Sequence, residues 1–368
     1  MLLKSLHLKN FRNYRDQSFT FHPHFNLIIG DNAQGKTNLL EAIYYLGYLN
    51  PFRPATKEEM ILSGEAAGMI EATLSDEGFQ SEVKIVLEPH SRKVSMNGKK
   101  PETRRIVPVL LFEPREVYLF RESPSVRRHF LDKALLLNSP EIYPAQKDYE
   151  EIIRQKNRLL KETEGGSLMD QLPVWNEKLV ETGAHLIFQR LRWMEAINGE
   201  LPAAYHRLLP GTENLIATYE CRLPGISSLL DESEIRKILA AALEEKKGEE
   251  IRRRESAVGP HRDDWSCFLD GRGLGVQGSQ GENRSAVIAL KWAQVNLVQK
   301  KEGKPPIFLL DDVCSELDLG RKKSLLTTLA QTPGQVFLST AEPGEITPYF
   351  NEKGSSFLIE DGRVRVIG

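Results

Sequence analysis

Only three cysteines, Cys221, Cys267 and Cys314, occur among 368 residues. They are far apart and odd in number, which excludes a disulfide framework and a zinc knuckle. They are read instead as small buried apolar residues. Long apolar runs are missing as well. The longest, at 106–112, is broken by Pro108 and falls far short of the roughly 20 residues that a membrane-spanning helix requires. The opening MLLKSLHLKNF alternates apolar and polar residues, the pattern of a first strand rather than of a secretion signal. A cytoplasmic protein with no membrane partner is expected. Neither sign of charge is in excess, since 49 Lys plus Arg face 51 Asp plus Glu for a net charge of -2. Nothing global draws the chain to nucleic acid, so a DNA site must be a local basic patch.

What is present is ordinary globular composition, 40% hydrophobic and 27% charged, enough for two domains. Both ends alternate short apolar runs (25–29, 307–310, 336–338) with helical patterns, the signature of an α/β sheet. The middle differs. From about 125 to 209 the pattern is helical and charged, with Trp175, Leu179, Leu186, Leu191 and Met194 along one face of a long helix and Tyr149, Ile152, Ile153 and Leu159 along a second. Breaks fall at 164–167 and around Pro202, Pro210 and Gly211. The expected architecture is one α/β domain formed by 1–115 and 256–368, with an all-helical lobe inserted at 116–255. Asp231 and Glu234 form a capping box that opens a further helix.

After the strand FNLII comes Gly30-Asp31-Asn32-Ala33-Gln34-Gly35-Lys36-Thr37, a full G-x-x-x-x-G-K-S/T phosphate loop, followed by the helical pattern Leu39, Leu40, Ile43, Leu46. The glycines let backbone N–H groups turn toward phosphate oxygens, and the helix N-terminus adds positive charge. Lys36 reaches the terminal phosphates and the Thr37 hydroxyl holds Mg²⁺. No N-K-x-D base-reading run is present, so ATP is expected rather than GTP.

Near the other end, PPIFLLDD is a buried-strand run that ends in two acids, at the place where α/β sheets bind ligands. Asp311 suits the Mg²⁺ shell, and Asp312 suits the orientation or deprotonation of water. Alone, such a pair reads as a strand terminus; beside a phosphate loop it reads as chemistry. Upstream lies Ser279-Gln280-Gly281-Glu282-Asn283-Arg284, ahead of the helical run Val287, Ile288, Leu290, Val295. A serine and a glycine at a helix start make either a second anion site or a plain N-cap.

Phosphate loop, S-x-G signature, tandem acids and the turn Ser315-Glu316-Leu317-Asp318 stand in the order found in the ABC-type ATPases of the SMC, Rad50 and RecF group. NFRNY at 10–14, GKTNLLEAIYYL at 35–46, SPSVRRHFLD at 123–132, VGPHRDD at 258–264 and LLDDVCSELD at 309–318 resemble the RecF family in particular. The resemblance covers nearly the whole chain. It implies that Lys36 and Thr37 bind phosphate and Mg²⁺, that Asp311 supports the metal and that Asp312 activates water. It also implies that Ser279 and Gly281 cap the nucleotide of a second copy in an ATP-dependent homodimer, with Asp318 in the loop crossing that interface and Arg12 and Asn13 near the nucleotide. Gapped duplex DNA, a RecR partner and, functionally, RecO and RecA belong to the same implication. Two departures stand out: Glu282-Asn283 replaces the usual Gln-Gln of the signature, bringing a carboxylate near a terminal phosphate, and Ala33 replaces a family glycine. No histidine follows the last central strand, where Ser339 and Thr340 stand.

Basic clusters at Arg104–Arg105, Arg127–Arg128, Arg252–Arg254 and Arg321–Lys323 offer phosphate contacts, or are simply solvated surface. No base-reading module is visible, so binding by backbone shape rather than sequence is expected. A transporter ATPase shares these motifs but needs a membrane partner. A metabolite kinase has no use for SQGENR or SELD.

Overall fold

The computed structural model describes residues 1–101, 105–162, 166–209, 211, 214–332, 334–349 and 354–367. Two compact units emerge, Met1–Val117 with Val298–Gly368, and Tyr118–Leu297.

The first unit opens with the hairpin β1 (Leu2–Phe11) and β2 (Tyr14–Thr20), then β3 (Phe25–Ile29), α1 (Lys36–Tyr48) and the single turn α2 (Lys57–Met60). Next come β4 (Gly68–Asp76), β5 (Phe79–Leu87), β6 (Arg92–Met96) and β7 (Val109–Phe112). Strand β1 alternates, burying Leu6 and Leu8 while His7 and Lys9 stay on the wetter face, the period-2 pattern of a half-buried strand. It joins an antiparallel sheet of order β2-β1-β4-β5-β6.

The second unit holds α3 (Pro124–Asn138), α4 (Tyr143–Glu162), α5 (Gly166–Asn198), α6 (Leu201–Leu208), β8 (Leu215–Glu220), α7 (Glu232–Arg253), β9 (Asp264–Leu269), β10 (Arg272–Gly273), α8 (Leu274–Gln277) and the start of α9 (Gln280–Glu302). Leu179, Leu186, Leu191 and Met194 are buried along α5, as are Tyr149, Ile152 and Leu159 along α4. Core packing is therefore what both stripes do. Asp231 caps α7 through the full capping box with Glu234. The unit is mainly helical, but it also carries a three-stranded sheet of order β10-β9-β8. Pairing of β8 with β9, from Leu215↔Leu269 to Glu220↔Asp264, explains why 256–297 groups with the insert rather than with the ATPase segment where the sequence reading put it. Of the expected breaks, Glu164, Gly165 and Pro210 lie outside the described residues.

The VGPHRDD segment ties this unit together. The Arg190 guanidinium, 4% exposed, binds Asp132 at 2.8 Å and the Pro260 carbonyl at 2.7 Å. Tyr219 donates to Asp263 at 2.5 Å. Tyr149 bonds His261 Nδ1 at 2.7 Å, and a fully buried Lys156–Glu250 ion pair closes at 2.8 Å nearby. Glu250 also accepts from the Ala257 N–H at 2.9 Å. Cys267 and Cys314 are buried, whereas Cys221 is partly exposed.

The chain completes the first unit with β11 (Ile307–Asp311), α10 (Leu319–Gln331), β12 (Val336–Thr340), β13 (Gly354–Glu360) and β14 (Arg363–Val366). The second sheet has order β14-β13-β3-β12-β11-β7. Its pairs are parallel from β13 to β7, and only β14 runs antiparallel, against β13. Strands β3, β11 and β12 are buried along almost their whole length, which is why their sequences are continuous apolar runs rather than alternating ones. The C-terminal ends of β3 and β11, separated only by β12, carry the phosphate loop and the two acids. Among the described residues, no helix is long and apolar enough to cross a membrane.

Candidate nucleotide site

The loop from Gly30 to Lys36 keeps its shape through close backbone approach. A Cβ on Gly30 would sit 2.5 Å from the Ile359 carbonyl oxygen, and one on Gly35 only 2.6 Å from the Asn13 side chain. Both positions therefore require glycine. Lys36 opens α1 and turns its ammonium back into the loop, donating to the Gly30 carbonyl at 2.6 Å and the Asp31 carbonyl at 2.8 Å. Burial lowers the Lys36 pKa, while Asp312, Asp311 and Asp31 pull it back up. An anion placed in the cradle would act in the same direction as those carboxylates, favouring the charged lysine. Asp31, Asn32 and Ala33 are exposed on the loop, and Ala33 is held at φ 67.

The outside of the loop is fastened from three directions. Tyr14 donates its buried hydroxyl to the Gly35 carbonyl at 2.9 Å, and Asn13 Nδ2 donates to the Gln34 carbonyl at 2.9 Å. The Gly362 N–H also donates to the Gln34 carbonyl, at 3.0 Å, and the Asp361 N–H reaches Gln34 Oε1 at 2.6 Å. Asn38 supports Asn13 by a 2.9 Å bond to its Oδ1. Asn13 thus touches the loop. Arg12 does not: its guanidinium is committed to the buried Glu41 carboxylate at 2.7 Å and to the Glu59 carbonyl at 2.9 Å.

At the end of β11, Thr37 Oγ1 donates to Asp311 Oδ1 at 3.0 Å. The lone pairs of the threonine hydroxyl remain for a cation, with the Asp311 carboxylate behind it. A hard oxygen donor set of this kind, next to a phosphate cradle, fits Mg²⁺. Ser339 donates to the same Asp311 oxygen at 2.9 Å and accepts from the Asp312 N–H at 3.0 Å. Asp312 follows in a left-handed turn, φ 49 and ψ 28. Asp318 caps α10, accepting from the Arg321 N–H at 3.1 Å. Its pKa is lowered chiefly by the side-chain bond to Arg321.

The signature lies in the second unit. Ser279 Oγ accepts from the Glu282 N–H at 3.1 Å, while Glu282 Oε2 accepts from the Ser279 N–H at 2.6 Å. This reciprocal capping box uses the carboxylate that departs from the usual signature, and Arg272 pairs with it at 3.1 Å. Glu282 is therefore folded back on its own helix start. Gly281 occupies the first turn of α9, its carbonyl accepting from Ser285 Oγ at 3.0 Å.

Most of the basic clusters are spoken for. Arg105 pairs with Glu302, and Arg104 lies outside the described residues. Arg127 grips both oxygens of Asp264, and Arg128 donates to the Asp263 carbonyl at 2.8 Å. Arg321 pairs with Asp318 and Lys322 with Glu345. At the end of α7, Arg253 pairs with Glu249 at 3.0 Å, while Arg252 is exposed. Tyr14, Asn38 and the turn Asp361–Gly362 are contributors that motif reading passed over, and Ser339 stood out there only for occupying the place of a missing histidine. Tyr14 was at least visible inside NFRNY, whereas only tertiary register brings Ser339 to the acids.

A family model described as the RecF/RecN/SMC N-terminal domain matches residues 2–349. The DNA replication and repair protein RecF of Syntrophotalea carbinolica is 34% identical, over 99% of each chain. The protein of the same name from Geotalea uraniireducens is also 34% identical, over 99% of this chain and all of its own. Among solved structures, the recombination mediator protein RecF with ATPrS, of the RecFOR pathway, superposes with a TM-score of 0.90 at 28% identity, covering 100% of this chain and 98% of its own. An Smc head domain from Pyrococcus furiosus matches with a TM-score of 0.54 at 16% identity, covering 100% of this chain and 96% of its own, a likeness of fold alone. The fold is that of an ABC-type ATPase.

Proposed function

Because the chain belongs to the RecF family of the RecF/RecN/SMC group, we propose that it is an ATP-dependent DNA clamp of recombinational repair and replication restart. It binds single-strand gaps and duplex junctions without reading sequence, and works with RecR and RecO in loading RecA. The observation that carries this reading is the meeting of Thr37 and Asp311 at 3.0 Å beside the Lys36 cradle. It joins a phosphate site to a cation site. RecF relatives are named for DNA replication and repair, and a solved RecF with ATP has a TM-score of 0.85 at 28% identity, covering 99% of each chain.

The residues divide the work as follows. Backbone N–H groups of 30–36 and the Lys36 ammonium hold the phosphates, and Thr37 with Asp311 holds Mg²⁺. Asp312 orients water and takes its proton. ATP with Mg²⁺ supplies an anhydride whose cleavage makes the closed state temporary. Ser279 and Gly281 face the terminal phosphate bound by the second copy, so that subunits join only when nucleotide is present. Glu282, held in its capping box, stays at its own helix start and leaves that contact to Ser279.

Light scattering with ATP, ADP and no nucleotide tests this directly. The wild type is expected to dimerise with ATP alone and to hydrolyse it slowly, and Asp312→Asn to remain dimeric with little turnover. A monomer under all three conditions contradicts the clamp, and normal hydrolysis by Asp312→Asn contradicts the assignment of the acid.

A further inference from the structure

Strand β12 lies between the strand that leads into the phosphate loop and the strand that ends in the acids. Ser339 is level with both, in register with Ile28 on one side and Asp311 on the other. Its side chain is 0% exposed. A serine hydroxyl has one hydrogen to give, and this one goes to Asp311 Oδ1 at 2.9 Å, while the oxygen accepts the Asp312 N–H at 3.0 Å. One hydroxyl therefore touches the side chain of the first acid and the backbone of the second.

Those two contacts do different jobs. Asp311 Oδ1 also accepts from Thr37 at 3.0 Å, so the carboxylate is fixed from both sides and its torsion is set. Asp312 stands at φ 49, ψ 28, a left-handed conformation that costs a non-glycine residue roughly 1–2 kcal/mol. The bond from its N–H to Ser339 helps retain that conformation and so aims the Asp312 side chain. Without the hydroxyl, Asp311 loses one of its two donors and the Asp312 N–H loses its acceptor together.

We propose that Ser339 is a positioning residue that sets the metal-supporting carboxylate of Asp311 and the catalytic carboxylate of Asp312 in a fixed mutual arrangement. This rests on the ATPase reading above. The Ser339 hydroxyl is committed to these two acids, so its loss spares ATP binding itself and weakens the response to Mg²⁺ and the chemical step.

Ser339→Ala and Ser339→Cys test the idea, the cysteine filling the volume while donating only weakly. Binding of a fluorescent ATP analogue is titrated first in EDTA and then against Mg²⁺, and ATP hydrolysis is measured at saturating Mg²⁺. Both variants are expected to bind in EDTA like the wild type. The Mg²⁺ midpoint should rise about 10–100-fold, as for other groups that orient metal ligands, and kcat should fall with KM for ATP unchanged. An unshifted Mg²⁺ midpoint and kcat in the cysteine variant overturn the proposal, leaving Ser339 as packing. A wild type that binds no analogue overturns the nucleotide reading itself, a different failure seen in a different arm.

Discussion

Thr37 and Asp311 lie 274 positions apart and share a hydrogen bond of 3.0 Å. The bond exists because β12 alone separates β3 from β11 in the sheet, so the loop after one parallel strand and the acid at the end of another open into the same crevice. Thr37→Ala should remove most of the Mg²⁺ enhancement of ATP binding, about tenfold or more in Kd, or roughly 1.4 kcal/mol. Lys36→Ala should weaken binding with and without Mg²⁺. Nucleotide titrations with and without EDTA separate the two, and equal losses in both variants would refute the division of roles.

Ala33 is held at φ 67, a conformation that an L side chain enters at a cost and glycine does not. A glycine at this position, the residue that the resemblance implies, would carry no such cost. Ala33→Gly should stabilise the folded protein by about 1 kcal/mol, measured as a higher urea midpoint with unchanged m-value. A lower midpoint would mean that the loop adopts another conformation in solution.

How much of this was legible in sequence depends on the range of the interaction. The phosphate loop, the paired acids and the capping box of Asp231 with Glu234 are local patterns whose spacing carries their geometry. The stripes of α4 and α5 were readable because period 3.6 is also local. Strand β8 was not, since it is stabilised by pairing with β9 across Ser266↔Thr218 and its neighbours, contacts that no short window contains. For the same reason the second unit extends to Leu297. Arg127 and Arg128 read either as phosphate contacts or as solvated surface, and Arg12 stands near the nucleotide by family resemblance. Their carboxylate and carbonyl partners come from elsewhere in the chain, with Asp264 137 positions from Arg127, and charge counting does not reveal such pairing.

Lys156 and Glu250 form an ion pair with both side chains 0% exposed. Lys156→Met leaves the carboxylate buried without its counter-charge and should cost about 3–5 kcal/mol. Adding Glu250→Gln should recover part of that loss, because the remaining charge disappears while Oε1 still accepts from the Ala257 N–H. Urea unfolding of the single and double variants checks this. Losses that simply add would contradict it.

His261 is partly buried between Tyr149 and the Ser256 carbonyl, its Nδ1 2.7 Å from the Tyr149 hydroxyl and its Nε2 3.2 Å from that carbonyl oxygen. The arrangement suits a neutral ring carrying its proton on Nε2. Burial pushes its pKa down from 6.5 to about 4. Between these values the unfolded chain binds more protons than the folded one, so this contribution is full above pH 6.5 and falls as the pH drops toward 4, by roughly 3 kcal/mol in all. Stability of the wild type should therefore decline from pH 6.5 to 5 more steeply than that of His261→Gln. Parallel curves would show that the ring is solvated.

A clamp requires that nucleotide state control the grip on DNA. Fluorescence anisotropy of a gapped duplex, titrated with Asp312→Asn protein in the absence of nucleotide, with ADP and with ATP, measures it most directly. The clamp predicts tight binding with ATP alone, at concentrations where light scattering also shows a dimer, and a steep loss of affinity with added salt. Equal binding in all three states would separate the ATPase from DNA and contradict the clamp.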